Sequence, residues 1–411
     1  MRKNNNYLLP VISFYSPVMS AGEGTYIYDQ NGKRYLDLNA GQFCSVLGHS
    51  NPDLANCIAQ NAQKIAHTNT EILTEDVLTA AENINRISGD LDAYSIFLST
   101  GAECVEFCLR YAKHIQQKEG VVCFNKGYHG LTLGAQSVTY SGVYARPTVG
   151  NVYNVSIPDT FICSDELQFY VEEFETVLRC YGDRIAAVLM EPIVSVGGMI
   201  FPPPAYFDKI RQICDIYNVL LIFDECQTGF GRTGTWFNYQ QLECIPDMAA
   251  CAKAMGLGYP VSMAMFSRKL VNENVFAMTH YSSHQNDAFA AAIINFGIEY
   301  MENNNLLSII QDKGAFFLHE LYKLEQRCEY VTAPRGQGLM LGLDLYIEGV
   351  ENYRPFFRQL AETALDKGLI IQSTNGGKTL RFLPNYLITT DEINLCIAIL
   401  EESLREIFSD L

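Results

Sequence analysis

Six short apolar runs rich in β-forming residues recur through the middle of the chain, at residues 94–98, 121–124, 186–190, 219–223, 248–252 and 261–266. Several are separated by stretches with helical spacing, an alternation that predicts an α/β domain built on a mostly parallel sheet. Between the first two runs, Val105, Cys108, Leu109, Ala112 and Ile115 fall on one face, so residues 103–117 are read as a helix. It begins directly behind Ser99-Thr100-Gly101-Ala102.

Nearer the start, Tyr26-Ile27-Tyr28-Asp29 and Lys33-Arg34-Tyr35-Leu36-Asp37 flank an Asn31-Gly32 turn, which predicts a hairpin packed outside the main sheet. The polar run Asn303-Asn304-Asn305 marks a break between elements. Beyond it, a helix, a strand-like stretch at 339–345 and a terminal helix predict a separate small lobe. The polar opening Met1-Arg2-Lys3-Asn4-Asn5-Asn6 is expected to fray.

A chain of 411 residues can bury a large core and fits one large domain with a smaller companion. Its 29 basic residues against 46 acidic ones leave a formal charge of -17, which argues against nucleic acid or an anionic membrane as partner. Small-molecule chemistry is expected instead. The 13 cysteines are odd in number, and Cys104, Cys108, Cys214 and Cys251 sit inside helical or strand patterns, so reduced thiols are expected. No positively charged start leads into an apolar run, and no stretch of about 18 apolar residues occurs. A cytoplasmic protein with no membrane span is the expectation.

The chemistry centres on Lys253, in Cys251-Ala252-Lys253-Ala254-Met255-Gly256-Leu257-Gly258-Tyr259-Pro260. An amine that follows an apolar strand and opens into a glycine-rich turn is placed to condense with an aldehyde. Asp224 ends the run 219–223, where a carboxylate needs a positive partner to stay ionised; a protonated heterocycle supplies one, and a helix cap after a strand fits the same pattern. Gln227 lies three positions on, within reach of a ring oxygen. Gly101 and Ala102, between strand and helix, form a phosphate-cup candidate, because unpaired N–H groups and the helix dipole face an anion there. Tyr128, in Gly127-Tyr128-His129-Gly130, is a stacking candidate for a flat cofactor; an aromatic residue beside a loop also caps cores without function. Lysine and aspartate together point to a pyridoxal 5'-phosphate enzyme.

With these segments in order, the chain resembles the class III (ω-type) aminotransferases of the fold-type I pyridoxal-phosphate superfamily, over nearly its whole length. Further matching blocks are Gly48-His49-Ser50-Asn51-Pro52, Glu191-Pro192, Asp224-Glu225-Cys226-Gln227-Thr228-Gly229, Arg335-Gly336-Gln337-Gly338-Leu339 and residues 381–384. The resemblance implies residues 51–305 as the large cofactor-binding domain, with 1–50 and 306–411 forming the small lobe. It implies that Lys253 forms the Schiff base, Asp224 pairs with the ring nitrogen, Gln227 meets the ring oxygen, Tyr128 stacks on the ring, and Gly101 and Ala102 bind phosphate. It also implies a homodimer with shared active sites, in which a hydroxyl from the partner completes the phosphate site. Ser282, in Ser282-Ser283-His284-Gln285-Asn286-Asp287, falls at that position. His280 and His284 stand four residues apart with no third ligand in view, so no metal is expected.

By the same resemblance, Arg381 receives a substrate carboxylate, for which a guanidinium fork is suited. Relatives that handle glutamate beside an ω-amine often carry a glutamate that neutralises this arginine; here the segment reads Glu191-Pro192-Ile193-Val194-Ser195-Val196-Gly197-Gly198, with Val196 at that place. An uncharged second substrate then requires Arg381 to swing aside or stay solvated. Gln42 and Phe43 match positions that line the substrate pocket, and the glutamine points to a polar amine, diamine or amino sugar. The expected reaction is ping-pong transfer from an amino-acid donor to an aldehyde or keto acceptor. A racemase or epimerase on the same scaffold, or a silent binding protein, are the competing readings.

Overall fold

The computed structural model describes residues 7–9, 11–12, 14, 17–140, 150–272 and 278–408. Residues 1–6, expected to fray, lie outside the described residues. Fifteen strands are described: β1 (Met19–Glu23), β2 (Tyr26–Asp29), β3 (Arg34–Asp37), β4 (Ala93–Leu98), β5 (Gly120–Phe124), β6 (Val152–Val155), β7 (Ile185–Met190), β8 (Leu220–Asp224), β9 (Met248–Cys251), β10 (Ser262–Ser267), β11 (Val331–Gln337), β12 (Met340–Leu345), β13 (Leu369–Ile370), β14 (Gln372–Thr374) and β15 (Thr379–Phe382).

The central sheet runs β4-β10-β9-β8-β7-β5-β6. β10 is antiparallel to both neighbours, and the other strands run parallel to one another. All six apolar runs of the sequence are strands of this sheet, as expected. β7 and β8 are buried at every position. Their side chains alternate between two cores: Ala187, Leu189, Leu220 and Ile222 face one, and Val188, Met190, Leu221 and Phe223 the other. Both faces of a parallel sheet are covered by helices, which is why these strands read as continuous apolar runs. The helix Gly101–Gln116, two residues earlier at its start than the spacing of apolar residues marks, packs on the first face through Cys104, Val105, Cys108 and Ala112. The helix Pro204–Tyr217 packs on the other through Phe207 and Ile210. β6 was not legible as a strand: it is a four-residue edge strand, mostly half-buried, with Asn154 inside it.

The Asn31-Gly32 hairpin forms as β2 and β3, with Gly32 at φ +82° in the turn. β1 joins it on one side and β13, from far along the chain, pairs with β3 on the other. A third sheet, β11-β12-β15-β14, is flanked by the helix Leu306–Arg327. All thirteen cysteines are free. Among the described residues no helix is long and apolar enough to cross a membrane.

Candidate active site

The carboxyl ends of β4, β5, β8 and β9 open on one cavity of about 1070 Å³. Ligands in open α/β sheets bind outside these strand ends. Gly101, Ala102, Tyr128, Asp224, Gln227 and Lys253 line it, Arg381 enters from β15, and Gln42 and Phe43 come from the segment after β3. Of the predicted site residues, Ser282 alone is absent from this lining. Its Oγ donates to Glu103 Oε1 at 3.2 Å, and its carbonyl accepts from Thr70 Oγ1 at 3.0 Å.

Asp224 is 4% exposed. Burial alone raises a carboxyl, yet the hydrogen bond from His129 Nδ1 to Oδ2 (2.8 Å), the imidazole's charge, the Cys226 side chain and the charge of Lys253 outweigh it and hold Asp224 below the usual carboxylate range; the Cys226 N–H also donates to Oδ1 (3.0 Å). The sequence reading assigned its positive partner to a heterocycle and passed over His129, which the chain itself brings to the carboxylate. The signal was present in Gly127-Tyr128-His129-Gly130, but the pair is 95 residues apart in sequence. An anionic, buried carboxylate lining a cavity fits a ring with a protonated nitrogen. Beside it, Gln227 Oε1 is buried without a partner among the described residues.

Lys253 follows β9 in the left-handed region, at φ 47°, and starts a short 3-10 turn to Gly256. Non-glycine residues rarely adopt this conformation, and it persists where the surroundings enforce it. Glu225 N–H donates to Ala250 O at 2.7 Å, tying the Asp224 loop to the strand that carries Lys253.

At the helix start, Thr100 caps through Oγ1 to Glu103 N–H (3.3 Å), while Ser99 N–H donates to Glu103 Oε2 (3.0 Å). A Cβ on Gly101 would meet Cys226 Sγ at 3.0 Å, and one on Gly130, at φ +118°, would meet Ala102 Cβ at 2.5 Å. The two loops therefore pack backbone to backbone around the helix N-terminus, whose N–H groups and dipole favour an anion.

Glu191 is buried and holds the aromatic loop: Oε1 accepts from Tyr128 N–H at 2.8 Å and Oε2 from Ser195 N–H at 3.4 Å. Burial, assisted by the charge of Asp224, pushes its carboxyl up to about 7 against the opposing His129. Arg381 is 8% exposed, with its guanidinium 4.6 Å from the centroid of the Phe43 ring. Burial pushes it down to about 10, and the charge of Glu191 opposes that. Nη2 donates to Gln372 Oε1 at 2.8 Å, a partner that sequence reasoning missed. Among the described residues Arg381 forms no ion pair with an acid. Val196 lines the cavity, and its carbonyl accepts from Thr374 Oγ1.

His280 and His284 do not converge. His280 lies against Arg110 (3.2 Å) and the edge of Phe107, whereas His284 approaches Asp287 (3.4 Å) and the His67 ring. His67, His284 and Asp287 bring ligand atoms within 4.8 Å of one another, a grouping that the spacing of His280 and His284 does not reveal. Asp287 Oδ1 caps the helix Ala288–Asn303, and Oδ2 takes the hydrogen bond from His67 Nδ1 at 2.6 Å.

Residues 13–404 match the family described as aminotransferase class-III. An acetylornithine aminotransferase of Methanosarcina acetivorans is 30% identical over 98% of this chain and 95% of its own. The solved structure of an (S)-enantioselective omega-transaminase from Thermomicrobium roseum superposes with a TM-score of 0.90 at 27% identity, covering 98% of this chain and 97% of that one. A PLP-bound amine transaminase from an uncultivated Pseudomonas species shares the fold, with a TM-score of 0.90 at 24% identity over 98% and 99% of the two chains. The chain belongs to the class-III aminotransferases: it is a fold-type I transaminase that transfers amino groups with pyridoxal 5'-phosphate.

Proposed function

We propose that the protein is a homodimeric, cytoplasmic ω-type aminotransferase that takes an amino group from an amino-acid donor and passes it to an aldehyde or keto acceptor in two half-reactions. The observation that carries this reading is the convergence of Lys253, Asp224, Tyr128 and the helix start at Gly101 and Ala102 on one cavity. Pyridoxal phosphate, when bound, supplies an electron sink for the substrate carbon.

Each side chain has a distinct task. Asp224, kept anionic, would hold the ring nitrogen's proton; Gln227 would meet the ring oxygen and Tyr128 the ring face. The N–H groups of Gly101 and Ala102 bind phosphate, and Ser282 of the second subunit completes that site. Its position outside its own chain's cavity supports a shared site. Lys253 Nζ would hold the cofactor and, once freed from it, would move the proton at the substrate carbon. Arg381 receives the substrate carboxylate through its fork. Residues 51–305 form the cofactor domain, with 1–50 and 306–411 the small lobe; pairing of β13 with β3 supports that division. Relatives named acetylornithine aminotransferase and omega-transaminase support an amine outside the α-amino group as one substrate.

Single-turnover spectroscopy tests the reading. Mixing holoenzyme with an amino donor and no acceptor is expected to convert the cofactor to its amine form with one equivalent of keto product. Solvent-deuterium exchange with inversion and no keto product would instead establish the racemase.

A further inference from the structure

We propose that Gln372 is a specificity-determining residue: a neutral partner that holds Arg381 when the substrate is uncharged and yields it when the substrate brings a carboxylate. The proposal rests on the reading of Arg381 as the carboxylate fork.

Arg381 is buried, and a buried guanidinium needs hydrogen-bond partners. Among the described residues it makes one short side-chain bond, Nη2 to Gln372 Oε1 at 2.8 Å. Ser195 Oγ accepts from Nη1 at 3.5 Å, a long contact, and Nε is buried with no partner. Donors are thus left over for a ligand. Gln372 is held in turn: its Nε2 donates to Gln42 Oε1 at 3.2 Å. The network Arg381–Gln372–Gln42 carries one charge, and every acceptor in it is neutral. A substrate carboxylate, as a charged acceptor, outcompetes an amide oxygen for the fork. A carboxylate in place of Gln372 would form a buried ion pair that substrate must break.

The segment that supplies Gln42 is built for this position. Ala40, Gly41, Gln42 and Phe43 all lie at positive φ (44°, 55°, 71° and 71°), a left-handed turn with a single glycine in it. Such strain persists only under local restraint. Asp37 provides it: Oδ1 accepts from Asn39 N–H and Oδ2 from Gly41 N–H, both at 2.9 Å, and His49 Nε2 lies 2.9 Å from Oδ2. The turn places the Phe43 ring against the Arg381 guanidinium and Gln42 against Gln372, so the arginine is packed by the ring while its hydrogen-bond partner is exchangeable.

The test compares an acceptor that carries a carboxylate, pyruvate, with one that carries none, butyraldehyde, in single turnovers of holoenzyme loaded with pyridoxamine phosphate, each variant's ratio being read against that of wild type. The readout is the ratio of their half-saturation constants. Gln372→Glu is expected to raise the pyruvate-to-butyraldehyde ratio about tenfold or more, because a charged competitor now holds the fork. Gln372→Leu is expected to lower it, since nothing is displaced by the carboxylate and the uncharged acceptor leaves the guanidinium poorly paired. Cofactor absorption and thermal melting establish that each variant is folded; if Gln372→Glu does not fold, the direction of the Gln372→Leu change decides. A ratio within about twofold of wild type in both folded variants overturns the proposal, as does a wild-type enzyme that accepts pyruvate but not butyraldehyde. Arg381→Lys separates the two levels: if it raises pyruvate half-saturation while Gln372→Glu has no effect, Gln372 alone is wrongly assigned. If Arg381→Lys leaves pyruvate untouched, the carboxylate reading of Arg381 fails, and this proposal with it.

Discussion

His129 Nδ1 lies 2.8 Å from Asp224 Oδ2, with both side chains nearly sealed from solvent at 1% and 4% exposure. The imidazole donates to an oxygen of the carboxylate that the proposed function sets against the ring nitrogen, so it governs how strongly that carboxylate stays anionic. Removing a hydrogen bond to a buried charge costs about 1.5–3 kcal/mol. His129→Ala is therefore expected to reduce kcat roughly ten- to a hundredfold with little change in KM, and His129→Asn to recover part of the loss. Steady-state kinetics with cofactor spectra check this; unchanged kcat in the alanine variant contradicts the role.

Lys253→Ala is expected to keep the fold, by circular dichroism and melting, while turnover falls by about a thousandfold or more through loss of the base and the amine together. Asp224→Asn leaves the amine but removes the charge proposed to face the ring nitrogen, so it should also slow turnover strongly. Normal rates in either variant contradict these assignments.

Glu191 and Glu225 are both buried, and burial raises each carboxyl to about 7. Glu225 is otherwise held by the Thr228 hydroxyl on Oε2 and by Tyr239 N–H at 2.9 Å on Oε1. Between about pH 4.5 and 7 the folded state keeps protons that the unfolded state has released, so stability falls as pH rises through that window. Each group can contribute up to roughly 3 kcal/mol of that fall. Denaturant midpoints of the protein from pH 4.5 to 8 should decline more steeply than those of Glu191→Gln or Glu225→Gln; parallel curves contradict the account.

Gly130→Ala places a methyl 2.5 Å from Ala102 Cβ at a φ of +118°. Backbone strain and overpacking together predict a loss of about 2 kcal/mol or more, read as a lower denaturant midpoint, with weaker cofactor retention because the helix start at Gly101 and Ala102 must shift. A midpoint equal to wild type counts against the tight approach of these loops.

The shared site is testable by mixing subunits. A heterodimer of one Ser282→Ala chain and one Lys253→Ala chain should hold one intact site, with wild-type cofactor affinity and about half the activity per dimer. Cofactor affinity no better than that of the Ser282→Ala homodimer would place Ser282 in service of its own chain.

Local sequence carried six of the seven strands of the central sheet and the positions of residues at their ends. Lys253 and Asp224 were legible because each ends or follows an apolar run, and the strand-then-glycine grammar marks the same edge of a parallel sheet four times. Partnerships were not legible, because they join distant segments. Gln372 meets Gln42 across 330 positions, and His129 meets Asp224 across 95. The left-handed turn at 40–43 gave no warning either, since its strain is imposed by Asp37 and only one of its four residues is glycine. The absence of an acid at Val196 was visible in the sequence; the amide that occupies the arginine instead comes from β14, where nothing local distinguishes Gln372 from any edge-strand glutamine.

The central claim is that Lys253 carries the cofactor. Borohydride reduction of holoenzyme, followed by proteolysis and mass spectrometry, is expected to place one pyridoxyl group per chain on the peptide containing Lys253. A pyridoxyl group on Lys126, which lines the same cavity, or no covalent adduct at all, would contradict it.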